Sequence, residues 1–333
     1  MKYIIIGAGV AGVSAAKEIK KNNPSAEVIL FGEERFLPYR RPLLTEFLCD
    51  SIDSDKLFYA SVQSFEELGI KLRKGEHVKS IDPEKKAIKL FHNEVVAYDK
   101  LLIATGGTPA LGPVLRPFKQ NIQRYYSLED ILLLKKNLDK IENCIIFGEG
   151  LSTLDLMCGF CNLGKKITYI VKGSKAHFPL IESEFEEDLH DFLVKKGVEI
   201  ITDDRIVSVD KTKGKYRILT LNQKQVDTDI VFAWDYYKPN IKIIEGTKIE
   251  KKLGILVDQQ LRTSVEDIYA AGDCVEIYHP KIRDYWINFG FPNATEQGKI
   301  AGRNMAGANE SYQVQETLVF NLMGKKLKAR WWE

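Results

Sequence analysis

The sequence predicts an α/β protein in which parallel strands alternate with helices, and three segments predict it. The first is the mostly apolar, β-branched run Lys2–Ile6, which is followed by a glycine-rich turn at residues 7–12 and a helical pattern. The second is a strand, glycine and strand pattern across residues 143–171, and the third is a short apolar run at 268–271 that ends in Gly-Asp. We therefore expect two Rossmann-like domains of the three-layer ββα type, with the second inserted into the first.

The first glycine turn has the spacing that a dinucleotide pyrophosphate requires. Gly7 permits a tight turn after the strand, Gly9 lets backbone N–H groups approach the phosphates, and Gly12 lets the next helix pack close to the strand. The helix dipole directs its positive end to the same place, so Val10 and Ala11 are expected to contact the ligand. A glycine turn without a ligand is the alternative, and the order of the elements that follow disfavours it.

An acidic pair follows the second predicted strand, residues 27–31, at roughly 20 residues beyond the glycine turn. A carboxylate in this position accepts hydrogen bonds from ribose hydroxyls. Glu34 is the preferred ribose ligand, and Glu33 is the second choice. The adenosine half of a dinucleotide site is thus complete in sequence order.

The last third of the sequence supplies the other half of this site. The strand at 268–271 places Gly272 and Asp273 at its carboxyl end, within reach of a ribityl hydroxyl and of a pyrophosphate. A turn aspartate without a ligand is the alternative interpretation. A dinucleotide with a ribityl chain is FAD, which we expect to be bound noncovalently.

A helix is expected to begin within residues 292–296. Asn293 is the expected N-cap, and Glu296 would complete a capping box. The free N–H groups of this terminus would stabilise negative charge on the N1–C2=O edge of a reduced flavin, with Asn293, Ala294 and Thr295 as contacts. An ordinary capped helix is the alternative.

Taken together, these motifs resemble the FAD-dependent pyridine-nucleotide oxidoreductases. Within that family the chain is similar to the branch that contains NADH:rubredoxin oxidoreductases, the flavin domains of assimilatory nitrite reductases and the ferredoxin reductases of oxygenase systems. The resemblance covers about residues 1–320 and is carried by residues 7–12, 37–44, 101–106, 148–150 and 263–274.

The resemblance implies further FAD contacts and a chemistry. Arg41 and Pro42 would lie along the flavin. NAD(P)H, as the substrate, would pass a hydride to flavin N5, and single electrons would then go to an iron–sulfur carrier of the ferredoxin or rubredoxin type. Because the cofactor supplies this chemistry, no catalytic side chain is expected. The remaining expected contacts are Val78, Ala104, Thr105 and Gly106.

The resemblance also implies the domain boundaries. The expected order is a first part of the FAD-binding domain at 1–108, an NAD(P)-binding-like domain at 109–250, a second part of the FAD-binding domain at 251–310, and a C-terminal hairpin or tail at 311–333, in place of the interface domain of relatives.

The inserted domain keeps part of a nucleotide motif. Gly148 and Gly150 begin its glycine turn, and Asp155 takes the position of an acid that lies near the nicotinamide in relatives. However, Thr153 stands where the third glycine belongs, and Lys172 stands where an NAD site offers a carboxylate to the ribose.

Two accounts of these departures remain open. Lys172 and Lys175 could bind the 2′-phosphate of NADP(H), unless they belong only to a solvated turn. Alternatively, Trp234 and Tyr236 fill a degenerate site, and the protein is a flavoprotein electron-transfer subunit of a larger redox complex without productive nicotinamide binding.

The C-terminal residues predict a hairpin with a basic and aromatic surface. Its two strands are expected within residues 317–324 and 325–332. Such a surface suits the docking of an acidic electron carrier, and a terminus that folds back on the flavin domain is the alternative. The residues of this surface are Lys325, Lys326, Lys328, Arg330, Trp331 and Trp332.

Composition excludes several other classes. The 333 residues are 44% hydrophobic, and the net charge of +2 argues against a nucleic-acid surface. No apolar run is long enough for a membrane span, so we expect a cytoplasmic protein. Five scattered cysteines argue against a disulfide framework and a metal site. Cys158 and Cys161 are expected to be buried, unreactive thiols, with a redox pair as the alternative.

Overall fold

The structure is a computed structural model that describes residues 1–148, 150–173, 186–212, 214–314, 317–322 and 325–330, with only the backbone along 317–330. The chain divides into two compact units. The first unit contains residues 1–40, 54–108 and 238–315, and the second contains residues 41–53, 109–237 and 316–333.

The described helices lie in both units. They are α1 Val10–Asn22, α2 Leu44–Leu48, α3 Ser54–Leu57, α4 Val62–Glu67, α5 Leu128–Lys135, α6 Leu151–Asn162, α7 Glu186–Lys195 and α8 Phe291–Met305.

The described strands alternate with these helices. They are β1 Lys2–Ile6, β2 Glu27–Gly32, β3 Ile70–Lys74, β4 Val78–Asp82, β5 Ala87–Leu90, β6 Val95–Ala97, β7 Lys100–Ile103, β8 Gly107–Ala110, β9 Asn143–Phe147, β10 Lys166–Ile170, β11 Val198–Ile201, β12 Ile206–Thr212, β13 Lys215–Thr220, β14 Gln225–Thr228, β15 Ile230–Ala233, β16 Tyr236–Pro239, β17 Ile255–Val257, β18 Ile268–Ala270, β19 Val275–His279, β20 Asp284–Trp286, β21 Thr317–Leu322 and β22 Lys325–Arg330.

The first unit is built on a parallel sheet with the strand order β18-β7-β1-β2-β3. Ile4 in the central strand β1 pairs with Ile29 on one side and with Leu101 on the other, and it is fully buried. Strands covered on both faces are apolar throughout, which is why β1 reads as a continuous hydrophobic run. Because β18 pairs with β7, residues near 270 share one sheet with the N-terminus, and the predicted α/β class is confirmed.

Helices α1 and α8 cross at very short range within the first unit. A Cβ added at Gly298 would overlap the carbonyl oxygen of Ala11, and one added at Gly302 would stand 2.8 Å from the Cα of Ala15. Two glycines four residues apart thus let the backbone of α8 approach α1. This packing fixes the start of α8 close to the start of α1.

A small antiparallel meander, β4-β5-β6, belongs to the first unit. Its buried side chains, which include Ile81 and Ile88, join the hydrophobic core of the first unit. A further sheet, β17-β19-β20, precedes α8 in the chain.

The second unit contains a parallel sheet with the order β11-β10-β9-β15 and an antiparallel sheet β12-β13-β14. The parallel strands follow the βαβ pattern predicted for a second dinucleotide-binding fold. Helix α5 begins at a capping box in which Ser127 accepts from the backbone N–H of Asp130 and the Asp130 carboxylate accepts from that of Ser127.

Residues 41–53 associate with the second unit, whereas the expected boundary at 108 placed them in the first domain. Leu44, Thr45 and Leu48 are buried on α2. An NH group of Arg41 donates to the Tyr126 carbonyl at 2.7 Å, and Lys135 Nζ donates to the Phe47 carbonyl at 2.9 Å. The segment is therefore held by residues that lie more than eighty positions further along the chain, a placement that no local pattern encodes.

The predicted C-terminal hairpin is present as β21 and β22. Thr317 pairs with Arg330, and Leu322 pairs with Lys325 in an antiparallel register. The side chains of the proposed basic and aromatic surface, and the whole of Trp331 and Trp332, lie outside what the structure describes.

Candidate functional site

The glycines of the first turn differ in what surrounds them. Gly7 has φ +112°, a value that favours glycine, and a Cβ there would overlap the carbonyl oxygen of Ala104. A Cβ on Gly12 would overlap the carbonyl oxygen of Gly7, so the absence of a side chain lets α1 pack against the turn. By contrast, a Cβ on Gly9 would meet no other heavy atom within 4 Å. Gly9 therefore borders open space at the N-terminus of α1, where a pyrophosphate fits.

The two glutamates that follow β2, Glu33 and Glu34, make different contacts. Glu34 is half-buried and its Oε2 accepts a hydrogen bond of 2.7 Å from the Tyr39 hydroxyl, which orients the carboxylate. Glu33 is exposed and lies 3.1 Å from His77 Nδ1. The oriented carboxylate of Glu34 is the better candidate for a ribose ligand.

Asp273 connects the end of β18 to the start of α8. Its Oδ1 accepts a hydrogen bond of 3.0 Å from the backbone N–H of Gly290, the residue that precedes the helix. Gly272, beside it, has φ +87°, and a Cβ there would lie 3.2 Å from Ala11 Cβ. The predicted Gly-Asp pair is thus close to the first turn of α1.

The predicted cap of α8 is wrong. The helix begins at Phe291 with Gly290 as its N-cap, and no side chain caps it. Asn293 lies inside the first turn, where its Nδ2 donates to the Phe289 carbonyl at 3.1 Å and its Oδ1 accepts from the Tyr312 hydroxyl at 3.2 Å. Because Pro292 is favourable in the first turn, the helix begins earlier than the Asn293 pattern indicated.

The residues of α8 that were predicted as a cap or as ligand contacts therefore make different interactions. Glu296 makes ion pairs with Lys299 and Arg303 instead of the N-terminal capping contact. Asn293 and Ala294 are buried, and Thr295 is half-buried with its hydroxyl donating to the Phe291 carbonyl. The backbone N–H groups of the first turn, and not the Asn293 side chain, are the groups that this terminus offers to a ligand.

The turn after β7 is held by Asn240. The Thr105 hydroxyl donates to the Asn240 carbonyl at 2.6 Å, and the Asn240 N–H donates to the Gly106 carbonyl at 2.9 Å. Ala104 lies against Gly7, because a Cβ added to Gly7 would overlap the carbonyl oxygen of Ala104. The three residues Ala104, Thr105 and Gly106 are thus brought to the glycine turn.

The other predicted FAD contacts are distributed differently. Val78 is buried in the hydrophobic core of the first unit, so its side chain packs against protein. Arg41 belongs to the second unit, where its guanidinium lies 4.3 Å from the centre of the Tyr126 ring, and the neighbouring Pro42 is exposed.

The first unit therefore gathers most of the residues that the sequence assigned to FAD. The open side of Gly9, the oriented Glu34 and the N-termini of α1 and α8 are the features that fit a bound dinucleotide. The residues that would hold FAD are Gly7, Gly9, Val10, Ala11, Gly12, Glu34, Ala104, Thr105, Gly106, Gly272, Asp273 and the first turn of α8.

The second glycine turn, between β9 and α6, is partly covered by Trp234. A Cβ on Gly148 would lie 2.8 Å from the indole Nε1 of Trp234, whose side chain is 7% exposed. Gly150, with φ +106°, has no heavy atom within 4 Å of an added Cβ. Half of this turn is thus packed against an aromatic ring, and half is open.

Thr153 and Lys172 have internal contacts. Thr153 is fully buried, so its side chain does fit where the third glycine was expected. Lys172 Nζ lies 3.5 Å from Asp235 Oδ1, and it also lies over the Phe147 ring. Lys175 lies outside the described residues.

Asp155 belongs to a buried polar cluster within the second unit. The Thr45 hydroxyl donates to Asp155 Oδ2 and also makes a hydrogen bond with the Tyr125 hydroxyl. Burial raises the pKa of the Asp155 carboxyl to about 7; the hydrogen bond from Thr45 opposes this effect, and the nearby Glu46 carboxylate adds to it. The sequence indicated Asp155 but not Thr45 or Tyr125, because hydroxyl residues so far apart carry no spacing signal.

The cysteines carry the features of structural thiols. All five are free, and burial raises the pKa of Cys158 to about 12 and that of Cys49 to about 11. Thiolates are the reactive form, so these environments disfavour a cysteine relay. Among the residues that the structure covers, no cluster of His, Cys, Asp or Glu could hold a metal ion.

The fold and the two glycine turns define the class of the protein: an α/β oxidoreductase with two dinucleotide-binding domains. The family model for pyridine nucleotide-disulphide oxidoreductases matches residues 1–298, and the chain belongs to that family. This membership confirms FAD as the cofactor and NAD(P)H as the substrate class.

Named relatives agree with this membership. The chain is 30% identical to an NADH-rubredoxin oxidoreductase of Clostridium acetobutylicum, over 93% of this chain and 76% of the relative. It is 30% identical to the ferredoxin–NAD(+) reductase component of a 3-phenylpropionate/cinnamic acid dioxygenase of Photorhabdus laumondii, over 92% of this chain and 77% of the relative.

Two further comparisons concern an electron-transfer subunit and the fold. An assimilatory nitrate reductase electron transfer subunit of Bacillus subtilis is 26% identical over 83% of this chain, which spans 36% of that relative. A ferredoxin reductase structure from Rhodopseudomonas palustris matches with a TM-score of 0.91 at 22% identity, over 98% of this chain and 81% of that one, and shows the shared fold. In the described part of the chain, no helix has the length and apolar character needed to span a membrane.

Proposed function

We propose that the protein is an FAD-dependent oxidoreductase that passes electrons from NAD(P)H to an iron–sulfur carrier protein of the ferredoxin or rubredoxin type. The observation that carries the proposal is the environment of Gly9, where the absence of a side chain serves no protein contact. When bound, FAD supplies the conversion between two-electron and one-electron transfer. The chain's own residues position it: Glu34 on the ribose, Asp273 and the α8 terminus on the ribityl and flavin end.

The names of the relatives support the acceptor class. Two relatives at 30% identity, which this chain covers by more than three quarters of their length, are named for rubredoxin and for ferredoxin. The raised thiol pKa values of Cys49 and Cys158 favour electron transfer directly from the flavin without an intervening dithiol.

A second candidate is a flavoprotein subunit of a larger redox complex that does not use NAD(P)H itself. It is favoured by Trp234, whose ring packs on Gly148 at the turn that a nucleotide pyrophosphate would approach. It is also favoured by the ion pair of Lys172 with Asp235, because Asp235 already pairs with the cation that a 2′-phosphate would need.

Anaerobic titration of the purified flavoprotein with NADPH and then NADH distinguishes these candidates. Rapid bleaching of the visible flavin band by either nucleotide supports the reductase and identifies its electron donor. A yellow protein that dithionite reduces but neither nucleotide does would reject the reductase and support the subunit.

Variants of Trp234 sharpen this test. If the protein is a reductase and Trp234→Ala remains folded, bleaching is expected to be at least as fast as in the wild type, because the truncation uncovers Gly148. If bleaching by nucleotide appears in Trp234→Ala and is absent from the wild type, the ring closes the site, as the subunit requires. Once reduction is established, oxidised ferredoxin and rubredoxin serve as acceptors, and failure of both would reject the carrier assignment.

A further inference from the structure

An ion pair crosses the carboxyl edge of the parallel sheet in the second unit. Phe147, the last residue of strand β9, pairs with Ile170 on one side and with Ala233 on the other. Lys172 lies two residues beyond Ile170, and Asp235 lies two residues beyond Ala233. Lys172 Nζ is 3.5 Å from Asp235 Oδ1 and 5.4 Å from the centre of the Phe147 ring, so the pair spans the end of β9.

This edge of the sheet is also where the fold offers a phosphate site. The second glycine turn begins at Gly148, directly after β9, and ligands of such sheets lie beyond the carboxyl ends of the strands. Gly150, the N-cap of α6, borders open space, and the helix terminus attracts phosphate oxygens. Because the Lys172 ammonium lies over the residue just before this turn, a phosphate at the turn and the Asp235 carboxylate are alternative partners for it.

Asp235 is held in place by the backbone, whereas Lys172 is not enclosed. The Oδ2 atom of Asp235 accepts a hydrogen bond of 2.7 Å from the backbone N–H of Gly112, and its own N–H donates to the Ala110 carbonyl at 2.9 Å. The side chain of Lys172 is 44% exposed. Ion pairs at such exposure are weak, so a phosphate can replace the carboxylate as the partner of the ammonium.

We propose that Asp235 is a built-in competitor of the nucleotide: it pairs with Lys172 in the empty site, and a phosphate group of NAD(P)H replaces it there on binding. The inference rests on the proposed function for its ligand. The carboxylate lowers nucleotide affinity in two ways, because it neutralises the Lys172 ammonium and because it repels the incoming phosphate. Asp235 therefore sets the affinity of the second unit for its nucleotide.

Asp235→Asn tests the competition. Its amide oxygen still accepts from Gly112 while the negative charge is gone, so we expect nucleotide to bind about fivefold more tightly, with an unchanged melting temperature. NAD+ and NADP+ are the ligands, because they bind without reducing the flavin, and isothermal titration calorimetry at low salt measures both dissociation constants. The gain is expected to shrink at high salt.

The two nucleotides identify the phosphate that Lys172 receives. The pyrophosphate is common to NAD+ and NADP+, whereas only NADP+ carries a 2′-phosphate. An equal gain for both nucleotides in Asp235→Asn assigns the pyrophosphate, and a gain for NADP+ alone assigns the 2′-phosphate. A gain for neither nucleotide overturns the inference.

Asp229→Asn is the matched control, because Asp229 has the same two kinds of contact at the opposite edge of the sheet. Its Oδ2 accepts from the backbone N–H groups of Glu142 at 3.0 Å and Asn143 at 2.9 Å, and its Oδ1 lies 3.3 Å from Lys215 Nζ. These residues lie at the amino ends of β9 and β15, away from the ligand edge. We expect both dissociation constants of this control to stay within about twofold of the wild type.

Lys172→Met shows whether Asp235 acts through Lys172. In this background, Asp235→Asn is expected to tighten binding by less than about twofold, because no ammonium is released. A fivefold gain that persists without Lys172 would show that the carboxylate repels the nucleotide by itself, and it would overturn the competition.

The outcomes separate the inference from the proposed function. If nucleotide reduces the wild-type flavin but binds the Asp235→Asn protein no more tightly, the inference is overturned and the reductase stands. If only the Asp235→Asn protein binds nucleotide, the competition is supported and the reductase activity of the wild type is rejected. Absence of binding and of flavin reduction in both proteins would overturn the proposed function, and this inference with it.

Discussion

Gly9 and Gly12 belong to one motif, yet the protein uses their missing side chains for different purposes. Gly12 makes room for the carbonyl of Gly7, and Gly9 makes room for something that is not protein. The sequence spacing predicted both roles, because the motif encodes the turn and the ligand together. Residue-scale substitutions can therefore separate ligand binding from folding.

Gly9→Val is expected to abolish flavin retention while leaving the fold intact, because the added side chain enters the space of the pyrophosphate. The ratio of flavin to protein absorbance and the circular dichroism melt of the apoprotein measure these two effects. Gly12→Val is the contrasting variant, since it overlaps backbone and is expected to lower stability directly. A yellow, fully loaded Gly9→Val protein would reject the N-terminal site.

Asp155 makes stability depend on pH. Its pKa is about 7 in the folded protein, against 3.8 for an exposed aspartate, so between about pH 4 and pH 7 the folded state holds a proton that the unfolded state has released. Stability is therefore expected to fall as the pH rises through this window and to level above about pH 7.

Asp155→Asn is expected to remove this pH dependence, because the amide oxygen still accepts from Thr45 and does not titrate. Melting temperatures of the wild type and the variant from pH 5 to pH 8 provide the measurement. Parallel curves for the two proteins would contradict the assignment. Asp139→Asn, at an exposed residue outside this cluster, is the control.

Lys172→Glu tests the nucleotide preference. The added carboxylate repels a 2′-phosphate and accepts from ribose hydroxyls, so the ratio of kcat/KM for NADPH to that for NADH is expected to fall about tenfold. Lys166→Glu, at the first residue of β10, the strand that precedes Lys172, is the control and should leave the ratio unchanged. An unchanged ratio in Lys172→Glu would remove this lysine from the site.

At the scale of elements, α8 shows what sequence reasoning reached and what it missed. Its existence and its place after the Gly-Asp strand were predicted, but its first residue was not. The cap was misassigned because Asn293 has the right residue type for an N-cap. The N-cap is instead Gly290, with φ +109°, three residues earlier. The glycines that allow α8 to cross α1 closely had no visible role in the sequence, since the neighbour they meet is nearly three hundred residues away.

Gly302→Leu is expected to destabilise the first unit by about 1–3 kcal/mol or more, because its side chain must force α8 away from Ala15. Urea unfolding of the apoprotein measures the loss. Lys299→Leu, a half-buried position on the same helix, adds an apolar side chain without that overlap and is expected to be near neutral. Equal stability of the Gly302 variant and the wild type would show that the helices separate freely.

At the scale of the whole molecule, the sequence predicted two dinucleotide-binding folds but not how every segment is shared between them. The two βαβ units followed from local patterns, because each unit carries its own apolar run and glycine turn. The association of residues 41–53 with the second unit did not, since it depends on contacts with residues far along the chain, such as the ring and carbonyl of Tyr126 and the side chain of Lys135. The packing of Trp234 on Gly148 was likewise only one of the two interpretations of the second nucleotide site that the sequence left open.

A chain truncated after residue 250 is expected to fail to retain FAD, although the complete N-terminal glycine motif remains. Such a chain lacks β18 and α8, which complete the sheet and cover α1. Co-purified flavin, measured after denaturation, provides the test against the full chain. Retention of stoichiometric flavin by the truncated chain would show that the first 250 residues suffice.

The pairing of β18 with β7 sets an order of events during synthesis. The glycine turn leaves the ribosome among the first residues, but the strand and the helix that complete its surroundings follow roughly 260 residues later. At about 5–20 residues per second, the interval is on the order of 15–50 s. Throughout that time the nascent chain carries an unfinished sheet with an open edge at β7, so its cofactor is acquired only when synthesis is nearly over. We therefore expect the yield of active protein to depend on the supply of free flavin and on the protection of that edge until β18 is made.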